Sequence, residues 1–204
     1  MKNLVILAGG KSSRMGMDKV LLKDNGVTFV ERIFANALIY FERIIISTDS
    51  REHALVIRKL PFMTGRNVEI VTDNYEAIGP MGGIISVFEE TDVERFAIIP
   101  VDVPGADMRV LTRLYDYCTK KACFLKLQGG KPEPLIGAYN RSALPDLKGA
   151  MEAGLLKIRM ALPFADTDII GEGKLADFEN LSCSFRNINT PEELEAYRKK
   201  EEDD

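Results

Sequence analysis

Short β-branched apolar runs alternate along this chain with segments whose apolar residues recur at helical spacing, and that alternation restricts the fold more than any other feature. Residues 3–7, 44–47, 68–71 and 96–100 read as buried strands of a parallel sheet. Between them, residues 28–41 put Phe29, Val30, Ile33, Phe34, Ala37, Leu38 and Phe41 on one helical face. Residues 51–60 look helical up to Pro61, another helix runs from Gly82 or Gly83 to Glu90, and 108–121 carries helical spacing through Val110, Leu111, Leu114 and Tyr115. Runs at 123–127, 135–139 and 183–187 read as further strands. The last helix starts at Thr190 as N-cap, with Pro191 in its first turn and Glu193 three residues after the cap. The pattern predicts an α/β fold, a mainly parallel sheet between helical layers. With 204 residues, it predicts one domain over 1–204 whose end, 198–204, is a frayed charged tail.

Open parallel sheets bind ligands beyond the carboxyl ends of their strands. Just there, after the first strand, stands Leu7-Ala-Gly-Gly-Lys-Ser-Ser-Arg-Met-Gly-Met-Asp-Lys19. Gly9 and Gly10 let backbone N–H groups approach an anion closely, and Lys11, Arg14 and Lys19 cluster positive charge beside them. That combination suits a nucleoside triphosphate. It is not a P-loop, because the glycine required five residues before Gly10-Lys-Ser12 is Val5. Nor does Gly9-Gly-Lys-Ser-Ser-Arg14 supply the dinucleotide pattern G-x-G-x-x-G.

Two carboxylates fall at the same edge. Asp73 follows the strand ending near Val71, and Asp102 follows the strand ending near Ile99, in Pro100-Val-Asp-Val-Pro104. By itself Asp102 could cap a helix or form a turn; beside the glycine loop it reads as a ligand for Mg²⁺, which favours one or two carboxylates plus phosphate oxygens and water. Asp107 reads as a helix cap. Gly79-Pro-Met-Gly-Gly83 is a second glycine cluster that leaves room for a base or a second substrate. Asn187 and Asn189, read as alternate residues of a strand, would show both amides on one face.

Composition excludes several classes. A formal net charge of −4 gives no general basic character for nucleic-acid binding. Three cysteines without a C-x-x-C pair suit a reducing cytoplasm and argue against a zinc or disulfide framework. The first strand follows the first residues directly, so no cleavable leader is expected, and no apolar stretch spans a bilayer. The single histidine, His53, sits in a charged segment and reads as a solvated surface residue.

The segment 7–19 resembles the signature L-A-G-G-x-S-x-R-M-G-x-D-K of nucleotidyltransferases with a Rossmann-like, glycosyltransferase-A type fold. Gly79–Gly83 is similar to their G-P-[LM]-[AG]-G element. Phe185-Arg-Asn-Ile-Asn-Thr-Pro-Glu-Glu-Leu194 resembles the ending of the molybdenum cofactor guanylyltransferases, the MobA family. With Asp73, Asp102 and Glu133-Pro-Leu135, the resemblance spans nearly the whole chain. It implies a three-layer sandwich of the nucleotide-diphospho-sugar transferase type that transfers GMP from GTP to the terminal phosphate of molybdopterin with Mg²⁺. It further implies nucleotide contacts at Leu7, Ala8, Gly9, Gly10, Lys19, Ser47, Asp73 and Asp102, metal at Asp102, and molybdopterin contacts at Asn187 and Asn189 with Gly82 and Gly83 nearby. Arg14, Lys19 and Asp102 would carry the catalysis. Proteins that deliver and accept the cofactor are implied partners. Two positions depart from the family pattern: Ser47 stands where an Asn is usual, and Val101-Asp-Val-Pro104 replaces the usual context of the metal Asp. A molybdopterin cytidylyltransferase, another small-molecule nucleotidyltransferase and a non-catalytic nucleotide sensor are the competing readings.

Overall fold

The computed structural model describes residues 1–9, 21–63, 68–75 and 77–203. Its centre is a seven-stranded sheet in which an interior strand, β1 (Asn3–Leu7), is buried along its full length. Alternate residues of β1 face opposite sides: Leu4 and Ile6 enter one apolar core, Val5 and Leu7 the other. β4 (Arg43–Thr48) and β6 (Arg95–Pro100) flank β1 in parallel, and β5 (Glu69–Thr72) extends the sheet beyond β4. On the other side come β8 (Glu133–Asn140), β7 (Ala122–Lys126) and β9 (Thr167–Gly171), giving the order β5-β4-β1-β6-β8-β7-β9. Only β8 runs against its neighbours. The first core takes its helical cover from α1 (Phe29–Ala37), α2 (Arg51–Arg58) and α4 (Met108–Tyr117). The second takes it from α3 (Pro80–Glu90), α5 (Leu144–Glu152) and the short α6 (Ile158–Ala161). The expected three-layer α/β sandwich is therefore found.

Several local expectations change. Helix α3 begins earlier than Gly82, at Pro80, whose fixed φ and missing N–H suit the first helical turn. Helix α4 stops at Tyr117, because Lys121 already enters the pairing of β7 with β9, donating to the Asp166 carbonyl at 3.1 Å. The segment 183–187 is not a strand. Leu181 and Phe185, four residues apart, are both buried on the single turn α7, Leu181–Ser184, and the Phe185 N–H closes it on the Leu181 carbonyl at 3.0 Å. The edge it might have joined is occupied by β9.

The C-terminal helix α8, Pro191–Asp203, starts as its sequence requires. The Glu193 N–H donates to Thr190 Oγ1 at 3.2 Å, and Glu193 Oε2 accepts from the Thr190 N–H at 3.2 Å, a reciprocal capping box. Arg198 is anchored rather than frayed: its Nε lies 3.0 Å from the fully buried Asp24, which also holds Arg32 at 2.6 Å. Asp24 belongs to a two-stranded hairpin, β2 (Lys23–Asp24) with β3 (Val27–Thr28), so these ion pairs join hairpin, α1 and α8. Thr190→Ala should cost about 1 kcal/mol and lower the melting temperature by about 2–4 °C, read by thermal denaturation; an unchanged melting point would show that α8 does not depend on its cap. Among the described residues, no helix is long and apolar enough to cross a membrane.

Candidate functional site

The carboxyl ends of β5, β4, β1 and β6 lie side by side and open into a cleft of about 740 Å³. Its lining includes Leu7 and Gly9 after β1, Ser47 to Asp49 from β4, Asp73 and Tyr75 after β5, and Val101 and Asp102 after β6. Gly79, Pro80 and Gly83 come in from α3, and Leu135 from β8. Backbone hydrogen bonds hold this floor together: Ala8 N–H to the Ser47 carbonyl at 2.7 Å, Val101 N–H to Leu7 at 2.9 Å, Asp73 N–H to Thr48 at 2.7 Å.

Close packing explains the glycines. A Cβ on Gly82 would fall 2.5 Å from an Asp73 carboxylate oxygen, and one on Gly83 would fall 2.8 Å from Ser47 Oγ. The start of α3 thus rests directly on both polar side chains. Gly79 has φ +70°, a left-handed conformation that glycine adopts without steric cost. Ser47 itself is buried, so its short side chain fits beneath α3.

Asp73 is set into the wall. Its Oδ1 accepts from the Tyr75 N–H at 2.9 Å and the Ser86 hydroxyl at 3.1 Å. Burial pushes its carboxyl above the usual carboxylate range; those two hydrogen bonds pull it back, and the negative charge of Asp49 adds to the rise. A raised folded-state pKa favours folding below the unfolded-state value, near 4, and that contribution is lost as pH rises through the folded value. Ionised Asp73 is therefore a stability cost at neutral pH, as binding groups commonly are. Asp73→Asn should melt at a higher temperature than the wild type at pH 7, with the gain vanishing as pH falls through 4. A difference independent of pH would refute this account.

Asp102 is half-buried at the opposite end of the cleft. Its carbonyl accepts from the Ile188 N–H at 2.8 Å, which draws the C-terminal segment against this end. Ile188 points into the core, while Asn187 is exposed and Asn189 half-buried. The two asparagines therefore flank the Asp102 end from an irregular segment, not from a strand face, and neither lines the cleft. Asp107 caps α4, accepting from the Arg109 N–H at 2.9 Å.

Thus Leu7, Gly9, Ser47, Asp73, Gly83 and Asp102 share one cleft, with Ala8 and Gly82 directly behind it. Gly10, Lys11, Arg14 and Lys19 lie outside the described residues. Sequence reasoning missed Asp49, which lines the cleft and hydrogen-bonds through Oδ1 with His53 Nδ1. His53 is consequently no solvated surface residue; its side chain is 18% exposed. Asp49 follows its strand as Asp73 and Asp102 follow theirs, so the same edge rule would have found it.

Residues 4–165 match the MobA-like NTP transferase domain. The chain belongs to that family. A probable molybdenum cofactor guanylyltransferase of Halalkalibacterium halodurans is 30% identical over 203 residues, spanning 93% of this chain and 94% of that protein. Another, from Flavobacterium johnsoniae, is 32% identical over 191 residues, 93% and 92% of the two chains. The crystal structure of molybdopterin-guanine dinucleotide biosynthesis protein A from Archaeoglobus fulgidus superposes with a TM-score of 0.84 at 23% identity, over 99% of this chain and 100% of that one. CMP:2-keto-3-deoxy-manno-octonic acid synthetase complexed with CTP superposes at 0.68 with 15% identity, over 100% and 99%. These two structures share the fold. The chain is thus a nucleotidyltransferase of the MobA-like family.

Proposed function

We propose that this enzyme transfers GMP from GTP to the terminal phosphate of molybdopterin. The observation that carries the reading is one cleft that joins Gly9 after β1 to Asp73 on one side and Asp102 on the other. Relatives at 30% and 32% identity named as guanylyltransferases support it. A phosphate oxygen of molybdopterin bonds to the α-phosphorus of GTP, the bond from that phosphorus to the β-phosphate bridging oxygen breaks, and pyrophosphate leaves with its electron pair. A phosphate monoester has its second pKa near 6, so the nucleophile is already deprotonated at pH 7 and needs no general base. His53, bonded to Asp49 at the β4 end, is accordingly assigned no proton transfer.

The residues fit Mg²⁺. Asp102 offers one hard carboxylate at the cleft, and among the described residues no group of three or more His, Cys, Asp or Glu could enclose a metal. Mg²⁺ is held in this way, by one or two carboxylates plus substrate phosphates and water, rather than by an all-protein cage. Asp102 would hold it, and when bound it would neutralise phosphate charge. Backbone groups of Gly9 and Gly10 would bind the nucleotide, whereas the Ala8 N–H and the Leu7 carbonyl, implied as contacts, are already bonded to Ser47 and Val101. Lys19 and Arg14 stabilise charge on the α-phosphate and the leaving pyrophosphate. At an effective dielectric near 20, a unit charge about 4 Å away contributes roughly 4 kcal/mol. Asp73 and Ser47, with Gly82 and Gly83 packed on them, would form the base end of the cleft, so these glycines stand with Asp73 and not beside Asn187 and Asn189 as the resemblance implied. A carboxylate there favours guanine, whose N1–H and 2-amino group are adjacent donors, over cytosine, which offers one amino group beside an acceptor. Asn187 and Asn189, beside the Asp102 end, would contact molybdopterin.

We also place the enzyme in the cytoplasm, working between proteins that deliver and accept the cofactor. Three cysteines without a C-x-x-C pair suit that setting. Pyrophosphate release by purified protein with Mg²⁺, molybdopterin and either GTP or CTP tests the reading. GTP should support release and CTP should not. Preference for CTP would point to a cytidylyltransferase, and no release with either nucleotide to a sensor.

A further inference from the structure

The order of chemical groups along the cleft follows the order of strands. Asp73 and Tyr75 stand at the end of β5, Asp49 at the end of β4, Gly9 at the end of β1 and Asp102 at the end of β6. Neighbouring strands are about 4.8 Å apart, close to the step from phosphate to sugar and from sugar to base in a nucleotide. With phosphates over Gly9 and toward Asp102, and the base toward Asp73, the group left for the β4 end is the sugar.

Asp49 is built for that position. Its side chain is 36% exposed at the cleft, and the neighbouring Asp73 is held by Tyr75 and Ser86 against the backbone of Gly82. Gly9 presses against Asp49: a Cβ there would meet Asp49 Cβ at 2.9 Å and its backbone nitrogen at 3.0 Å. His53, on the first turns of α2, bonds to Oδ1 and fixes the carboxylate's direction. Two carboxylates at this half of the cleft repel phosphate and accept from neutral donors. A vicinal diol offers two such hydroxyl donors. Dinucleotide-binding sheets show the same logic, with an acidic residue beside the glycine turn taking the ribose hydroxyl.

We propose that Asp49 is the sugar-reading residue of this enzyme, accepting hydrogen bonds from the 2′- and 3′-hydroxyls of the nucleotide ribose. The proposal rests on the cleft being the nucleotide site and adds selection of ribonucleotides over deoxyribonucleotides, independent of the base.

Calorimetric titration with GTP, 2′-deoxy-GTP and 3′-deoxy-GTP tests it in the wild type, Asp49→Asn and Asp49→Ala. Hydrogen bonds to a charged acceptor predict about tenfold tighter binding of GTP than of either deoxy analogue by the wild type. That ratio should shrink in Asp49→Asn, which keeps one acceptor oxygen and the packing against Gly9, and approach one in Asp49→Ala. A wild type indifferent to the sugar, or a ratio preserved in both variants, overturns the proposal while leaving the nucleotide site in place. A wild type that binds no nucleotide overturns the site itself. Folding of the variants is read from their melting curves, and Asp49→Asn supplies the answer should Asp49→Ala not fold.

Discussion

Replacing Asp102 with Asn should lower the rate of pyrophosphate release by about 100-fold or more, because loss of one charge-stabilising group at a reacting phosphate costs roughly 3 kcal/mol. The substitution keeps the volume and the backbone carbonyl that accepts from Ile188, so the melting temperature should stay near that of the wild type. An amide is a far poorer ligand than a carboxylate for a hard cation and leaves the phosphate charge unbalanced. The measurement is turnover at saturating GTP and Mg²⁺ together with a melting curve. Loss of rate with an intact fold places Asp102 in the chemistry. Full activity in the variant would make it a turn former after β6.

Gly137→Ala should have the largest effect on stability. Gly137 lies in β8 opposite Phe124, and a Cβ there would sit 2.0 Å from the Cys123 carbonyl oxygen and 3.1 Å from its carbon. These are backbone atoms of the paired strand, so no side-chain rotation relieves the clash. Strands β7 and β8 must separate beside the irregularity already present between Phe124 and Leu125. Damage of this kind belongs with the largest single-residue losses, roughly 3–5 kcal/mol, and should lower the melting temperature by about 10 °C. A shift of only a degree or two would mean that the β7–β8 pairing tolerates spreading and that the close approach is not required.

The first half of the chain was largely legible because its strands are buried on both faces and its helices carry one apolar face. Both leave a periodic trace over several residues. The C-terminal third did not read as well. In 181–188 the buried Leu181, Phe185 and Ile188 are spaced for one helical turn and an irregular return, yet a run this short fits a strand equally well. Strand β9, Thr-Asp-Ile-Ile-Gly, mixes buried and half-buried positions at the sheet edge and leaves little pattern. The hairpin of β2 and β3 went unread, because its strands are too short to show periodicity; its one signal is the turn Asn25-Gly26, where both residues take positive φ.

For the site, the edge rule alone brings Asp73 and Asp102 to one cleft. Applied to β4 as well, it would have yielded Asp49. The bond between His53 and Asp49 was beyond that reach, since it depends on how α2 leaves the strand. The helical start at Pro80 was also hidden, although it is what lays Gly82 and Gly83 on Asp73 and Ser47. Asn187 and Asn189 were assigned from a strand that does not form; the hydrogen bond between Ile188 and Asp102 holds their segment beside the Asp102 end, outside the cleft lining.

A crystal structure of the protein with GTP and Mg²⁺ tests the central claim most directly. The guanine should lie toward Asp73, with the triphosphate crossing the turn at Gly9 and its oxygens sharing the metal with the Asp102 carboxylate. A nucleotide bound outside this cleft, or lying in it with Asp102 remote from every phosphate, would contradict the account.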